Sequence, residues 1–153
     1  MHALKLKIPP PLVALLTAAL MWLLARTTPT FEFVLPGRRI LAACVAFAGV
    51  ATSIMGVAAF RRAGTTINPM RPEKASSLVS SGIYKLTRNP MYLGLLLVLL
   101  AWAVFLSNAL PFIFLPAFII YINQFQIGPE EIALSSAFGQ EFEAYKSRVR
   151  RWL

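Results

Sequence analysis

The stretch Gly82-Ile83-Tyr84-Lys85-Leu86-Thr87-Arg88-Asn89-Pro90-Met91-Tyr92-Leu93-Gly94 is a basic, polar approach to an apolar run. Asn89 is a good N-cap, its side-chain oxygen able to accept from an otherwise orphan backbone N–H, and Pro90 suits the first helical position because it has no N–H to waste there. The spacing predicts a helix that starts at Pro90. Its free N–H groups and positive dipole end then lie beside the Arg88 guanidinium, which is an anion-binding arrangement at a membrane surface. Further on, Glu130 and Glu131 put two carboxylates on an otherwise basic face. They can offset the dipole of the helix they open, or bind a cation or hydroxyls. Together the two stretches suit a zwitterionic, hydroxyl-bearing cofactor. An ordinary capped membrane helix with a snorkelling arginine would use the same residues.

The composition says where such a site must sit. The 153 residues are 58% hydrophobic, with a mean hydropathy of +0.66, well above the apolar content of soluble domains. This is the pattern of an integral membrane protein with one domain, residues 1 to 153. The net charge of +9 comes from Lys and Arg between apolar runs, without the basic stripe and interleaved aromatics of a nucleic-acid binder. Cys44 is the single cysteine, His2 the single histidine, and there is no Asp. A disulfide, a metal centre and a Ser-His-Asp triad are therefore hard to build, and no metal is expected.

Four apolar runs, at about 12–25, 40–60, 90–106 and 110–127, predict four transmembrane helices. The first follows Pro9-Pro10-Pro11 and lacks the small-residue cleavage site of a signal peptide. In the second, Ala42, Ala43, Ala46, Gly49, Ser53 and Gly56 suit close helix packing. Residues 61 to 89 form a long polar loop, and Ser107-Asn108 a short turn between antiparallel helices. Pro111 and Pro116 are candidate kinks in the fourth run, whose last turns carry Tyr121, Asn123, Gln124 and Gln126. After a bend at Gly128-Pro129, a cytosolic amphipathic helix is expected over 130–152, with Phe138, Phe142, Tyr145, Val149 and Trp152 as its apolar stripe and Gly139 as a candidate kink. The fold class is thus an all-α membrane bundle. Twelve Lys and Arg fall on one side of four spans and three on the other, which predicts a multi-pass protein with both termini and the active site in the cytoplasm. Four slender spans can associate with copies of themselves as a homo-oligomer.

The joint pattern is recognisable. Gly82-Ile83-Tyr84, Arg88-Asn89-Pro90-Met91-Tyr92-Leu93-Gly94, Glu130-Glu131, Phe138-Gly139, Tyr145 and Val149-Arg150-Arg151-Trp152 resemble the isoprenylcysteine carboxyl methyltransferase and phospholipid methyltransferase superfamily, over roughly residues 60 to 153. The resemblance implies an S-adenosylmethionine-dependent membrane methyltransferase, with the cofactor near the cytosolic surface and a lipophilic acceptor entering from the bilayer. It implies cofactor-binding roles for Tyr84, Arg88, Asn89, Pro90, Tyr92, Gly94, Glu130 and Glu131, with Arg88 and Glu131 also the catalytic candidates. The family commonly has His at the place of Asn89, so any role resting on an imidazole is absent here.

On that resemblance, Arg88 and the N–H groups opening the third helix hold the methionine carboxylate, and Glu130 or Glu131 takes the ribose hydroxyls or the ammonium. Tyr84, Tyr92 and Tyr121 line the cofactor or form an interfacial aromatic belt, and Gly94 serves close approach of the cofactor or of another helix. A carboxylate acceptor is ionised at pH 7 and needs no base, which favours O-methylation over N-methylation. Two other readings stay open at this point: a membrane sterol reductase using a nicotinamide cofactor through a similar Arg-His-Pro box, and a small non-enzymatic membrane protein.

Overall fold

The structure, a computed structural model, describes residues 8–64 and 77–153. Lys5, Lys7 and His2, with Arg71, Glu73 and Lys74 of the long loop, lie outside the described residues. The described chain is helical: α1 Pro10–Thr27, α2 Arg38–Arg62, α3 Pro90–Leu106, α4 Phe114–Ile122, α5 Gly128–Phe138 and α6 Gln140–Arg148. A β-bridge pairs Glu32 with Asn108.

The expected four spans and cytosolic helix over 130–152 need correction. Among the described residues three segments, not four, are long and apolar enough to cross a membrane: Pro10–Thr27, Arg38–Arg62 and Leu110–Phe138. Helix α3 has 17 residues, about 25 Å at 1.5 Å per residue, short of a hydrocarbon core of about 30 Å. Its limits are local. Pro90 occupies the first turn, and Ser107 stops the helix in the left-handed region, φ 49° and ψ 42°.

The last apolar run does not end at Ile127 but continues to Phe138, a segment of 29 residues that opens with a 3-10 turn at Leu110–Ile113 containing Pro111. Gly128-Pro129 makes no break because Asn123–Ile127 form a π-helical turn, whose wider winding lets the Gly128 N–H donate to the Asn123 carbonyl. Pro129 then falls in the first turn of α5, where its missing N–H costs nothing. The true break is Gly139, at φ 51° and ψ −123°, a conformation that a Cβ disfavours. Only Gln140–Arg148 remains as a separate helix, and Val149 is extended.

Small residues set the closest contact in the bundle. Helices α2 and α3 run antiparallel, with Gly56 against Pro90 and Met91, and Gly49 against Gly94 and Leu97. The Ser53 hydroxyl donates to the Met91 carbonyl at 3.4 Å. Helix α1 lies parallel to α3: Trp102 Nε1 donates to the Ala18 carbonyl at 3.0 Å and Asn108 Nδ2 to that of Thr28 at 2.7 Å. Met21, Tyr92, Leu99, Ala103, Phe118, Ile122 and Ile127 fill the core between them. Gln126 Nε2 donates to the Ile8 carbonyl at 2.8 Å. The starts of α1 and α3, the end of α2 and the chain from Asn123 onward therefore gather at one end of the bundle. At the other end the turn from Thr28 to Gly37 is tied to Ser107 and Ala109 by Phe33 N to Ser107 O at 2.9 Å and Ala109 N to Phe31 O at 3.0 Å.

Part of the apolar stripe lies on α6 and packs against the described part of the loop that precedes α3. Phe142 and Tyr145 are buried with Val79 and Tyr84, and Phe138 and Val149 pack around them. Trp152 leaves that cluster for the main core and donates to Asn123 Oδ1 at 3.1 Å. The Tyr145 hydroxyl donates to the Tyr84 carbonyl at 2.7 Å, and burial pushes its phenol up to about 12, partly offset by Arg88. Because the folded pKa lies above the unfolded value, the native state keeps a proton that the unfolded chain gives up. This contribution to stability is complete below pH 10 and disappears as pH rises through 12. Tyr145→Phe should cost about 1–2 kcal/mol at pH 9, the price of an unpaired buried carbonyl. Urea titrations of both proteins in detergent at pH 9 and 11 should show that difference narrowing; an unchanged gap would mean the phenol is not held back by the fold.

Candidate functional site

The acid pair and the basic helix entrance meet. Glu131, in the first turn of α5, receives Arg88 NH2 on Oε1 at 2.8 Å. From the extended tail after α6, Arg151 places NH2 on Glu131 Oε2 at 2.6 Å and Nε on Oε1 at 3.2 Å. Arg88 and Glu131 side chains are 12% and 16% exposed, Arg151 38%. One carboxylate thus ties together three stretches of chain: the entrance to α3, the start of α5 and the tail. The neighbouring Tyr92 hydroxyl donates to Glu130 Oε1, so both acids of the pair are engaged from the α3 side.

Arg88 is also an anchor for the tail. Its NH1 donates to the carbonyls of Val149 at 2.6 Å and Lys146 at 3.1 Å, the last orphan acceptors of α6, where a cation complements the helix dipole. The Arg88 N–H donates to the Arg150 carbonyl at 3.0 Å. The Arg151 carbonyl accepts from Thr87 Oγ1 at 3.3 Å and Asn89 Nδ2 at 2.9 Å. Beneath them lies buried Tyr84, whose phenol is pushed far above its usual range first by burial, then by Tyr145 and Glu130.

Several expected roles change. Asn89 does occupy the N-cap position, but its side chain makes no cap hydrogen bond and its amide is turned to the tail instead. Gly94 faces α2, since a Cβ there would lie 2.0 Å from Ser53 Oγ and 2.5 Å from the Gly49 carbonyl oxygen. It serves helix packing. Arg88 is not open to an external anion through its amino groups, which Glu131 and the tail carbonyls occupy; its Nε is buried without a partner among the described residues. Pro90, Tyr84 and Tyr92 are buried, and the Tyr121 ring packs on Phe125 at 4.8 Å between centroids.

A groove of about 530 Å³ opens to the outside at this end, lined by Gly128, Glu131, Ile132, Ser135, Ser136, Lys146 and Arg151. Of the residues predicted from sequence, Glu131 alone lines it. Arg151, Lys146, Ser135 and Ser136 carry no assignment in the sequence reading. A signal for Arg151 existed in Val149-Arg150-Arg151-Trp152, which carries part of the family resemblance and of the charge asymmetry but gives Arg151 no place in the site.

The phospholipid methyltransferase family matches residues 38–141. The chain belongs to that family. The match spans α2 to the start of α6, including both acids and the α3 entrance. An uncharacterised protein of Haemophilus influenzae is 56% identical over 63 residues, which is 41% of this chain and 100% of that relative. No solved structure matches the chain. Membership in the phospholipid methyltransferase family, together with three helices of membrane-crossing length, makes this a multi-pass membrane S-adenosylmethionine-dependent methyltransferase with a lipid-like acceptor.

The groove residues fit the donor that the phospholipid methyltransferase family uses. Lys146, which pairs with the exposed Glu143 at 2.8 Å, and Arg151, whose Nε and NH2 already hold Glu131 but whose NH1 does not, offer cations for a carboxylate, Glu131 offers acceptors for an ammonium or ribose hydroxyls, and Ile132 gives an apolar side. The Ser135 and Ser136 hydroxyls donate to Glu143 Oε1 at 3.0 Å and the Ile132 carbonyl at 3.1 Å, which leaves their oxygens free to accept.

Proposed function

We propose that the groove beside Glu131 binds S-adenosylmethionine, and that the enzyme transfers its methyl group to a carboxylate on a lipophilic acceptor, in the manner of isoprenylcysteine methylation. The observation that carries this reading is one carboxylate held by two guanidinium groups at the floor of an open groove of mixed charge. Bound there, the cofactor supplies a methyl group already activated by its sulfonium. The chain then needs mainly to orient and to exclude water. Arg151 and Lys146 take the methionine carboxylate, while Glu131 takes the ammonium or the ribose hydroxyls. Arg88 is a positioning residue: it aims Glu131 and fixes the tail that carries Arg151. Glu130 and Tyr92 brace the same turn of α5 against α3. A carboxylate acceptor is ionised at neutral pH and asks for no base, which fits a groove lined by cations, hydroxyls and an ion-paired acid.

The charge distribution supports a groove on the cytosolic side. Arg61, Arg62, Lys85, Arg88, Lys146, Arg148, Arg150 and Arg151 lie at its end of the bundle, and Arg26, Arg38 and Arg39 at the other, which is the positive-inside asymmetry.

Calorimetric titration of the detergent-purified protein with S-adenosylmethionine tests the assignment. Glu131→Gln and Arg151→Gln should each weaken binding about tenfold or more, as expected for a lost charge-assisted hydrogen bond. Wild-type affinity in both variants would remove the groove as the cofactor site. Incubating lipid extracts with radiolabelled donor should give a base-labile methyl ester; a base-stable product would exclude O-methylation of a carboxylate.

A further inference from the structure

A second groove lies on the lipid-facing side of the bundle, away from the Glu131 site. Ala14 and Ala18 of α1 form one wall, Ala42 and Ala46 of α2 the other, with Leu99 and Trp102 of α3 between them, enclosing about 820 Å³. The small side chains on α1 and α2 are what leave the space open. The Trp102 indole N–H is already used by the Ala18 carbonyl, so the lining offers an apolar ligand no competing polar group along its length.

The one charge on the lining is Arg39. It opens α2, at the end of the bundle where Asn108 binds Thr28, and so opposite the Glu131 end. It is exposed and makes no hydrogen bond or ion pair to the described residues. Among the described residues no carboxylate pairs with it: the first turn of α2 has no acidic residue and Gly37 supplies no side-chain cap, and Glu32 of the preceding turn forms no ion pair with it. By contrast, Arg26 at the same end is covered by the Trp22 ring at 5.4 Å. An apolar channel running along the helices from an unneutralised cation at membrane-surface level matches a molecule with an anionic head and a hydrocarbon tail.

We infer that this groove holds an anionic phospholipid of the leaflet opposite the Glu131 site, its phosphate on Arg39 and one acyl chain between α1 and α2. The chain from Leu95 to Phe105 along the groove is about 15 Å at 1.5 Å per residue, a length that takes most of a leaflet's acyl chain. The headgroup sits at the far end of the helices from Glu131, so this lipid is a structural ligand and not the molecule that is methylated. The inference needs nothing from the methyl-transfer reading.

Native mass spectrometry on the full chain in mild detergent, with equimolar dioleoylphosphatidylglycerol and dioleoylphosphatidylcholine added, tests it. The wild type should retain phosphatidylglycerol at least fivefold over phosphatidylcholine. Arg39→Gln should bring the two near parity, while Arg38→Gln, at a residue that does not line the groove, should keep the preference. Ala46→Trp, which fills the channel, should reduce retention of both lipids; should it fail to fold by circular dichroism, Ala42→Leu asks the same question with a smaller insertion. Equal retention of the two lipids by the wild type, a preference that survives Arg39→Gln, or a lipid-free dimer whose copies fill each other's grooves would each overturn the inference.

Discussion

Arg88→Ala is expected to destabilise the protein by about 3–5 kcal/mol, the range for breaking a buried ion pair by removing one partner. The magnitude follows from burial. Glu131, 16% exposed, cannot replace the lost guanidinium with water and keeps only Arg151 on its carboxylate, and two carbonyls of the tail lose their donor at the same time. The Lys146–Glu143 pair, 29% and 56% exposed at 2.8 Å, is the natural contrast, since solvent and salt screen it. Urea unfolding in detergent, followed by circular dichroism, gives the stability. Limited proteolysis should show the segment after Gly139 cleaved first in Arg88→Ala. Arg88→Lys keeps the charge but not the fork that reaches Glu131 and two carbonyls together, so it should recover only a minor part of the loss. Stability of Arg88→Ala equal to that of a Glu143→Gln control would show that the junction at Glu131 does not hold the tail.

The second large effect is expected at Gly94. An alanine there would put its Cβ 2.0 Å from Ser53 Oγ, 2.5 Å from the Gly49 carbonyl oxygen and 2.9 Å from the Ser53 N–H nitrogen. A hydroxyl can rotate away, but two of these three contacts are backbone. Helices α2 and α3 must therefore separate, which costs the Ser53–Met91 hydrogen bond and the packing of Gly49 on Leu97. The upper part of the overpacking range, about 3 kcal/mol, is expected for Gly94→Ala, with Gly94→Val worse. Adding Ser53→Gly removes the first clash and leaves the Gly49 carbonyl, so the double variant should recover part of the loss and not all of it. Full recovery would locate the strain in the serine hydroxyl alone; no loss in Gly94→Ala would mean the two backbones are not so close.

The sequence was informative where one residue type has one physical use. Pro90 marks a helix start because it cannot sit further in. The Gly and Ser positions of α2 foretell close packing because nothing larger fits between two backbones. The apolar runs and the charge pattern identify a membrane bundle. It misled where a local signal has two outcomes. Gly128-Pro129 breaks a regular α-helix, but a π-helical turn just before it absorbs the proline, and nothing in Asn123–Ile127 announces that turn. Asn89 is as good a donor as an acceptor, and a tail brought back from more than sixty residues later decided which. Folding, not distance, hid Arg151, which is only 20 residues from Glu131. Its charge is plain in the sequence, but its position on Glu131 depends on α6 being folded over the Tyr84 loop, a tertiary event that spacing alone does not encode. Likewise the length of α3 depends on Ser107 entering the left-handed region, where a serine is not the expected occupant.

Helix α6 has nine residues, fewer than a peptide needs to stay helical in water by itself. Its order is borrowed: Phe142 and Tyr145 anchor it from below, and Arg88 closes its last carbonyls. The segment and the Glu131 junction therefore belong to one cooperative unit that opens and closes together. Any ligand that tightens Glu131 also freezes α6, and anything that frays α6 loosens Arg151 on its carboxylate, so affinity at the groove and order in a helix that does not span the bilayer are two readings of a single equilibrium.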